Sequence, residues 1–248
     1  MIPSQKSRAF SWWFSRHAQR RIEDAFSSAR VAGLEHAREA LRAGPFVAVS
    51  NHTSWWDPLT VLWLTHRVLG ADLYALMNAA NLRRLPFFGL VGAVGVDREA
   101  PGDGALATAE AVRLLDAPRR VVWVFAQGDE RAISLRPLGF RRGSAEVSRA
   151  SQAPAVPFAL RYEHGAEERP MLLVRVGAPI APTHDAVALR EAHEQAVTAL
   201  LDRVDADLRA ADLAAYETLH ARGPSALGVL AEGCLSVMTR PFAKVPRR

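Results

Sequence analysis

The sequence has one cysteine, Cys234, among 248 residues. A disulfide framework and a cysteine-rich zinc site are therefore excluded. Cys234 lies in an apolar stretch, residues 228–238, where a buried thiol that packs as a small hydrophobic side chain is favoured over a nucleophile. The histidines His184, His193 and His220 lack the spacing of metal ligands, so we predict no metal site.

Long apolar runs are also missing. The nearest to one, residues 224–239, is shorter than a membrane span and contains Glu232. Lys6 and Arg8 are not followed by an apolar run with a cleavage site, so a secretory signal is not expected. We therefore expect a cytoplasmic protein that binds peripherally to the cytoplasmic face of the membrane.

Positive charge is in modest excess, with 31 basic against 26 acidic side chains and a formal net charge of +5. This balance favours anionic partners, either nucleic acid or anionic lipid. Nucleic-acid binders usually carry a basic stripe or a known motif. The arginines here are spread along the chain, so we expect a membrane surface and no nucleic acid as partner.

Short apolar runs alternate with helical patterns through most of the chain. The predicted strands cover residues 45–50, 73–77, 93–96, 120–125, 155–162 and 171–176, and the predicted helices cover residues 57–69, 104–115, 143–151 and 185–221. This alternation predicts an α/β fold with a largely parallel or mixed sheet flanked by helices. We expect a single domain over residues 31–248, in which residues 185–248 form a helical C-terminal part.

Residues 1–30 are predicted to be an appendage that contains an amphipathic helix, residues 9–30. Aromatic and arginine side chains are concentrated on it: Phe10, Trp12, Trp13, Phe14, Arg16, Arg20, Arg21 and Arg30. This composition is typical of helices that lie on a membrane surface. A helix that packs its aromatic side chains against the core is the alternative, and the two interpretations are compatible.

The segment from Ser50 to Pro58, SNHTSWWDP, carries the clearest chemistry. His52 follows a predicted buried strand, and Asp57 comes five residues later at a predicted helix start. If the turn folds back, Asp57 can hold one imidazole nitrogen of His52 and leave the other free to accept a proton. Alternatively, Asp57 only caps the helix and His52 is an ordinary loop histidine.

This segment resembles the first motif of the glycerolipid acyltransferases, in which Asn-His is followed by four residues and Asp. The resemblance implies that His52 is the general base and that Asp57 orients it. A second block, residues 92–98 (GAVGVDR), resembles the glycine-rich block of the family that ends in Asp-Arg. It implies that Arg98 binds the polar head of the acceptor, for which the planar guanidinium is suited.

The third block of the family, Phe-Pro-Glu-Gly-Thr-Arg-Ser after a strand, is similar to residues 125–131, FAQGDER. The resemblance implies that Gln127, Gly128 and Arg131 contact the acceptor. Gln127 replaces a glutamate of the family pattern. Further segments, residues 140–144 and 155–159, resemble later parts of the family pattern.

Asp129 and Glu130 stand where the family has Thr and Arg. Two carboxylates repel a phosphate, whereas they accept hydrogen bonds from hydroxyl groups. We therefore expect the acceptor to be a lysophospholipid or a less charged hydroxylated lipid.

The family blocks occur in order over roughly residues 45–160. The resemblance implies a mixed sheet flanked by helices and an O-acyltransferase that moves a fatty acyl group from a thioester to a lipid hydroxyl, as in phospholipid biosynthesis. Acyl-coenzyme A or an acyl-carrier protein would be the co-substrate, without a cofactor. A catalytically silent lipid-binding or scaffold protein of the same fold is the alternative. An esterase would need a nucleophile elbow, which the sequence lacks.

Overall fold

An eight-stranded mixed sheet forms the centre of the protein in the computed structural model, which describes residues 1–222. The strands in chain order are β1 (Ser28–Ala32), β2 (Phe46–Ser50), β3 (Asp72–Asn78), β4 (Ala93–Val96), β5 (Arg120–Phe125), β6 (Ala155–Glu163), β7 (Met171–Val176) and β8 (Glu217–Ala221). Their spatial order is β4-β3-β5-β2-β6-β7-β1-β8. In this spatial order the neighbouring strands from β4 to β6 are all parallel. Strand β7 is antiparallel to β6, β1 is parallel to β7, and β8 is antiparallel to β1.

Helices cover both faces of this sheet. They are α1 (Arg8–Ala25), α2 (Leu34–Ala43), α3 (Asp57–Trp63), α4 (Ala79–Arg84), α5 (Phe87–Leu90), α6 (Asp103–Leu115), α7 (Gly143–Ser151) and α8 (Ala186–Arg209). A π-helical turn, Leu64–Val68, continues α3. The predicted α/β fold with a mixed sheet flanked by helices is confirmed.

Strand β2 lies in the middle of the sheet and all five of its residues are buried. Phe46 and Ala48 face the core under α1, α2 and α3, whereas Val47 and Val49 face the core under α6, α7 and α8. This two-sided burial explains the uninterrupted apolar run. The carboxyl ends of β2, β4, β5 and β6 meet at one edge, where open α/β sheets place their ligand sites.

The N-terminal helix is shorter than predicted. It ends at Ala25, and Ser28–Ala32 form β1 instead of the last turn. The residues of β1 would not by themselves end a helix. The backbone of this strand is hydrogen-bonded to β7 on one side and to β8 on the other. Tertiary pairing therefore overrides the local pattern. The predicted boundary at residue 30 falls inside this strand.

The C-terminal part is also less helical than predicted. Helix α8 ends at Arg209, and Glu217–Ala221 form the edge strand β8, which pairs with β1. In the sequence alone, the residue pattern of such an exposed edge strand resembles the pattern of an exposed helix. Cys234 and the apolar residues 224–239 lie outside the described residues.

Helix α1 combines a buried face with exposed tryptophans. Ser15, Ala18 and Ile22 are buried against the sheet and α3, whereas Trp12 and Trp13 are 58% and 55% exposed. The helix therefore packs on the core through one face and presents indole rings on another. None of the helices within residues 1–222 is long and apolar enough to cross a membrane.

The packing of α1 predicts unequal effects of two substitutions in this helix. Ile22→Ala should lower the free energy of unfolding by about 2–5 kcal/mol, because the side chain is fully buried. Trp12→Ala should change it by only about 0.5 kcal/mol, because the ring is exposed. Urea denaturation of both variants measures the difference, and equal losses would contradict this packing.

Candidate active site

The loop between β2 and α3 brings His52 and Asp57 into contact. His52 Nδ1 lies 2.7 Å from Asp57 Oδ2. The same carboxylate oxygen accepts the backbone N–H groups of Thr53, at 2.7 Å, and Ser54, at 3.0 Å. Asp57 is the first residue of α3, and the N-cap position is occupied by Trp56, which makes no side-chain cap bond. The side chain of Asp57 turns back over the loop. The sequence-predicted contact is therefore present, and the simple helix-cap interpretation is wrong.

The carboxylate of Asp57 is fully buried and accepts hydrogen bonds on both oxygens. Because backbone N–H groups occupy the oxygen that faces His52, that oxygen acts as an acceptor, and Nδ1 of His52 donates to it. In the neutral imidazole, Nε2 of His52 is then the nitrogen without a proton. This tautomer is the one that a general base requires.

Tyr162, near the end of β6, holds the other oxygen of Asp57. Its hydroxyl donates to Asp57 Oδ1 at 2.7 Å and lies 3.1 Å from Thr60 Oγ1. Withdrawal from solvent and the neighbouring Asp57 charge raise the pKa of Tyr162 well above its ordinary value, so the phenol remains a donor. Sequence analysis missed Tyr162, since only the placement of β6 beside β2 brings it to the site.

Asn51 explains how Tyr162 comes so close. Its buried side chain donates to the carbonyl of Leu160 at 2.9 Å and accepts the N–H of Leu160 at 2.8 Å. These two bonds continue the pairing of β2 with β6 beyond the last strand residue. The asparagine before His52 thus fixes the strand that carries Tyr162.

Gln127 holds the backbone of His52. Its amide oxygen accepts the N–H of His52 at 2.6 Å, and its amide nitrogen donates to the carbonyl of Leu138 at 3.2 Å. A glutamate could make the first bond but could not donate the second. The side chain is 1% exposed, so the structure shows a positioning contact, and the predicted contact with the acceptor stays a prediction.

The ring of His52 packs against the end of β5 and is partly exposed. It stacks on Phe125 with the ring centroids 4.4 Å apart, and its side chain is 17% exposed. The Nε2 atom lies 4.0 Å from Glu130 Oε1. The nitrogen that can accept a proton is therefore accessible.

The remaining predicted residues divide into two groups. Arg98 and Gly128 line the same cavity as His52. Gly128 has φ 80°, and a Cβ atom there would lie 2.6 Å from Arg98 Nη1, so a side chain would displace this guanidinium. Arg131 instead points to Leu138, whose carbonyl lies 3.5 Å from Nη1. Its backbone N–H donates to the carbonyl of His52 at 2.9 Å.

A cavity of about 800 Å³ extends from His52 into the protein. Its walls are mostly apolar and come from α1, α3, α5 and strands β3 to β5; they include Phe14, Leu62, Leu73, Phe88 and Val91. This volume is within the range of small-molecule sites. An apolar cavity that opens beside an unprotonated imidazole nitrogen suits a substrate with a long hydrocarbon chain and a reactive polar end.

A serine–histidine contact elsewhere in the protein has no access to solvent. Ser144 Oγ lies 3.1 Å from His193 Nδ1, and both residues are 0% exposed. Burial lowers the pKa of His193 to about 4, so its imidazole is neutral at physiological pH. This pair has no open side for a substrate and does not support an esterase. Within residues 1–222, no cluster of three His, Cys, Asp or Glu side chains could hold a metal ion.

Comparison with known proteins assigns the class to which this fold and site belong. The profile of the acyltransferase family matches residues 28–161, more than half of the chain, so the protein belongs to the acyltransferase family. This confirms the family resemblance identified from the sequence blocks.

Two individual proteins are similar to the chain. An uncharacterized acyltransferase of Schizosaccharomyces pombe is 31% identical over 125 residues, which are 48% of this chain and 43% of the yeast protein. The chain thus spans less than half of that relative. The crystal structure of the 1-acyl-sn-glycerophosphate (LPA) acyltransferase PlsC from Thermotoga maritima shares the fold, with a TM-score of 0.60, 15% identity and coverage of 79% of this chain and 80% of that one.

The hydrogen bond from Tyr162 to Asp57 predicts a kinetic effect. Tyr162→Phe leaves one oxygen of the buried carboxylate without this donor, and we expect kcat to fall about tenfold with KM unchanged. Tyr216→Phe is the matched control, because it removes a similar bond to Asp207 away from the site. Steady-state kinetics and thermal unfolding of both variants separate the two roles. An equal loss of kcat in both would show that Tyr162 acts only through stability.

Proposed function

We propose that the protein transfers a fatty acyl group from a thioester to a hydroxyl of a lipid, with His52 as general base and Asp57 as its orienting partner. The observation that carries this proposal is the position of His52 Nε2. Because Nδ1 donates to Asp57, at 2.7 Å, Nε2 is the nitrogen of the neutral imidazole that can accept a proton, and His52 borders the apolar cavity. Family membership supports acyl transfer as the reaction class.

In the proposed reaction, Nε2 of His52 takes the proton of the acceptor hydroxyl as its oxygen attacks the thioester carbonyl carbon. The new C–O bond forms, the tetrahedral centre collapses, and the C–S bond breaks. The leaving thiolate takes the proton from the imidazolium and departs as a thiol. Asp57 stabilises the imidazolium between these steps, and no protein nucleophile is needed.

The cavity provides different surroundings for the acyl chain and for the polar ends of the substrates. Burial of an acyl chain along its apolar walls stabilises binding by about 0.8 kcal/mol for each methylene group removed from water. The polar ends then remain near His52, where Arg98, Glu130 and Arg141 line the opening. Acyl-coenzyme A and acyl-carrier protein both fit as donors because both carry the acyl chain on a thioester.

Substitution of the two central residues tests this mechanism. His52→Ala should lower kcat by about two to four decades, the usual contribution of a general base. Asp57→Asn should lower it by at least about a hundredfold, because it removes the charge that stabilises the imidazolium. Transfer of label from palmitoyl-coenzyme A, or from a palmitoylated carrier protein, to a total membrane lipid extract measures both.

His184→Ala serves as the control, because His184 is exposed on the loop before α8. Turnover close to wild type in the His52 variant would contradict the mechanism. Lipid binding without turnover from either donor in the wild-type protein would favour the lipid-binding scaffold.

We also propose that α1 and the loop after β2 hold the opening of the cavity at a membrane surface. Trp12, Trp13 and Trp55 are 58%, 55% and 63% exposed. Arg16 packs over the ring of Trp12 at 5.0 Å. Exposed indole rings beside arginine are typical of the interface between water and anionic lipid. Trp55 also lines the cavity, so the proposed membrane contact includes a side chain of the site itself.

The membrane contact predicts a loss of binding to vesicles when the exposed indoles are replaced. The double variant Trp12→Ser, Trp13→Ser should bind phosphatidylcholine vesicles that contain phosphatidylglycerol at least about tenfold more weakly, because it loses two large interfacial side chains. The control replaces Leu106 and Leu135 with serine; these side chains are 57% and 53% exposed elsewhere on the surface. Equal sedimentation of the two double variants with vesicles would contradict the proposal.

A further inference from the structure

The positive charge of Arg98 is already neutralised within the protein. Its Nη1 and Nη2 atoms donate to the two carboxylate oxygens of Asp129 at 2.9 and 2.6 Å. The Nη2 atom of Arg141 lies 3.5 Å from the same carboxylate. The hydrogen bond from Arg98 also holds the pKa of Asp129 below its ordinary value, so the carboxylate is ionised at neutral pH. The two guanidinium N–H groups that could bind a phosphate in a bidentate arrangement are thus occupied by the carboxylate of Asp129.

A further carboxylate lies beside the free nitrogen of the proposed base. Glu130 Oε1 is 4.0 Å from His52 Nε2, and the Glu130 side chain is 57% exposed. Within the described residues it makes no hydrogen bond, so its oxygens can accept bonds from a ligand. Any group next to the reacting hydroxyl would meet this carboxylate.

The position of the reacting hydroxyl limits where the acceptor head can lie. The hydroxyl must reach Nε2 of His52, and a substituent on the neighbouring carbon is only a few covalent bonds away. That substituent therefore falls near Glu130 and Arg98, which line the same cavity as His52. The guanidinium of Arg98 is there paired with Asp129. A phosphate monoester there would be repelled by both carboxylates and would have to displace Asp129 from Arg98. A hydroxyl there would donate to Glu130 without breaking any contact.

We propose that the acceptor is a lipid with an uncharged, hydroxylated head, and that Asp129 disfavours phosphate monoesters by occupying Arg98. This inference rests on the proposed acyl transfer and specifies its acceptor. Glu130 receives the hydrogen bond of a second hydroxyl beside the reacting one. Asp129 and Glu130 are therefore specificity-determining residues of the site.

A matched pair of acceptors tests the class of head group. Monoacylglycerol and 1-acylglycerol 3-phosphate with the same acyl chain differ only in the phosphate. With the wild-type protein and one acyl thioester donor, we expect kcat/KM to favour monoacylglycerol by at least about tenfold, the effect of one unfavourable charge contact at a half-exposed site. A preference for the phosphate monoester would overturn the inference.

Substitution of Asp129 tests the attributed cause. Asp129→Asn should shift the ratio of kcat/KM values by at least about tenfold toward the phosphate acceptor, because it frees Arg98. The shift should disappear when Arg98→Gln is added, since the gain acts through that guanidinium. Asp116→Asn is the control, because Asp116 is an exposed residue that follows α6, away from the opening; it should leave the ratio unchanged. An unaltered ratio in Asp129→Asn would refute the role of Asp129.

A total lipid extract separates failure of this inference from failure of the proposed function. Wild-type protein is incubated with labelled acyl thioester and the extract, and the products are fractionated by charge. Label in neutral or glycosylated lipids supports the inference. Label confined to products of phosphate monoesters leaves acyl transfer intact and overturns the inference. If no lipid is labelled, acyl transfer itself fails and the acceptor assignment fails with it.

Discussion

The contact between His52 and the buried carboxylate of Asp57 is the constraint on which the site depends. A fully buried carboxylate is costly unless hydrogen bonds satisfy it. Asp57 obtains them from His52, from the backbone of Thr53 and Ser54, and from Tyr162. Each of these donors lies on the loop after β2 or at the end of β6. Satisfying one charge therefore fixes the loop conformation, the tautomer of His52 and the approach of β6 together.

A second set of contacts joins the loop after β2 to the loop after β5. Gln127 accepts the N–H of His52 and Arg131 donates its N–H to the carbonyl of His52, so both backbone groups of the histidine are held by the other loop. The ring itself stacks on Phe125. Since β2 and β5 are parallel neighbours, their carboxyl ends bring the loops to the same edge. The arrangement pre-organises Nε2 toward the cavity without requiring movement of the backbone.

One of the arginines that line the cavity is paired with a carboxylate of the protein itself. Asp129 pairs with Arg98 and lies near Arg141, while Glu130 remains exposed beside His52. The pairing of Arg98 cannot be read from the formal net charge of the chain, which is +5. Overall charge and the charge at a site are thus separate properties: the first governs attraction to a surface, and the second governs which head group is accepted.

The sequence by itself determined the fold class, the strand that ends just before His52 and the five-residue spacing from His52 to Asp57. These depend on contiguous residues, since a central strand needs an apolar run and a short turn limits where its side chains can reach. It did not determine the end of α1 or the strand β8, because their backbones are satisfied only by distant strands. Tyr162, the internal contacts of Gln127 and the pairing of Arg98 with Asp129 were likewise decided by tertiary structure. In each case the partners are far apart in the chain, and only the order of the parallel strands brings them to one edge of the sheet.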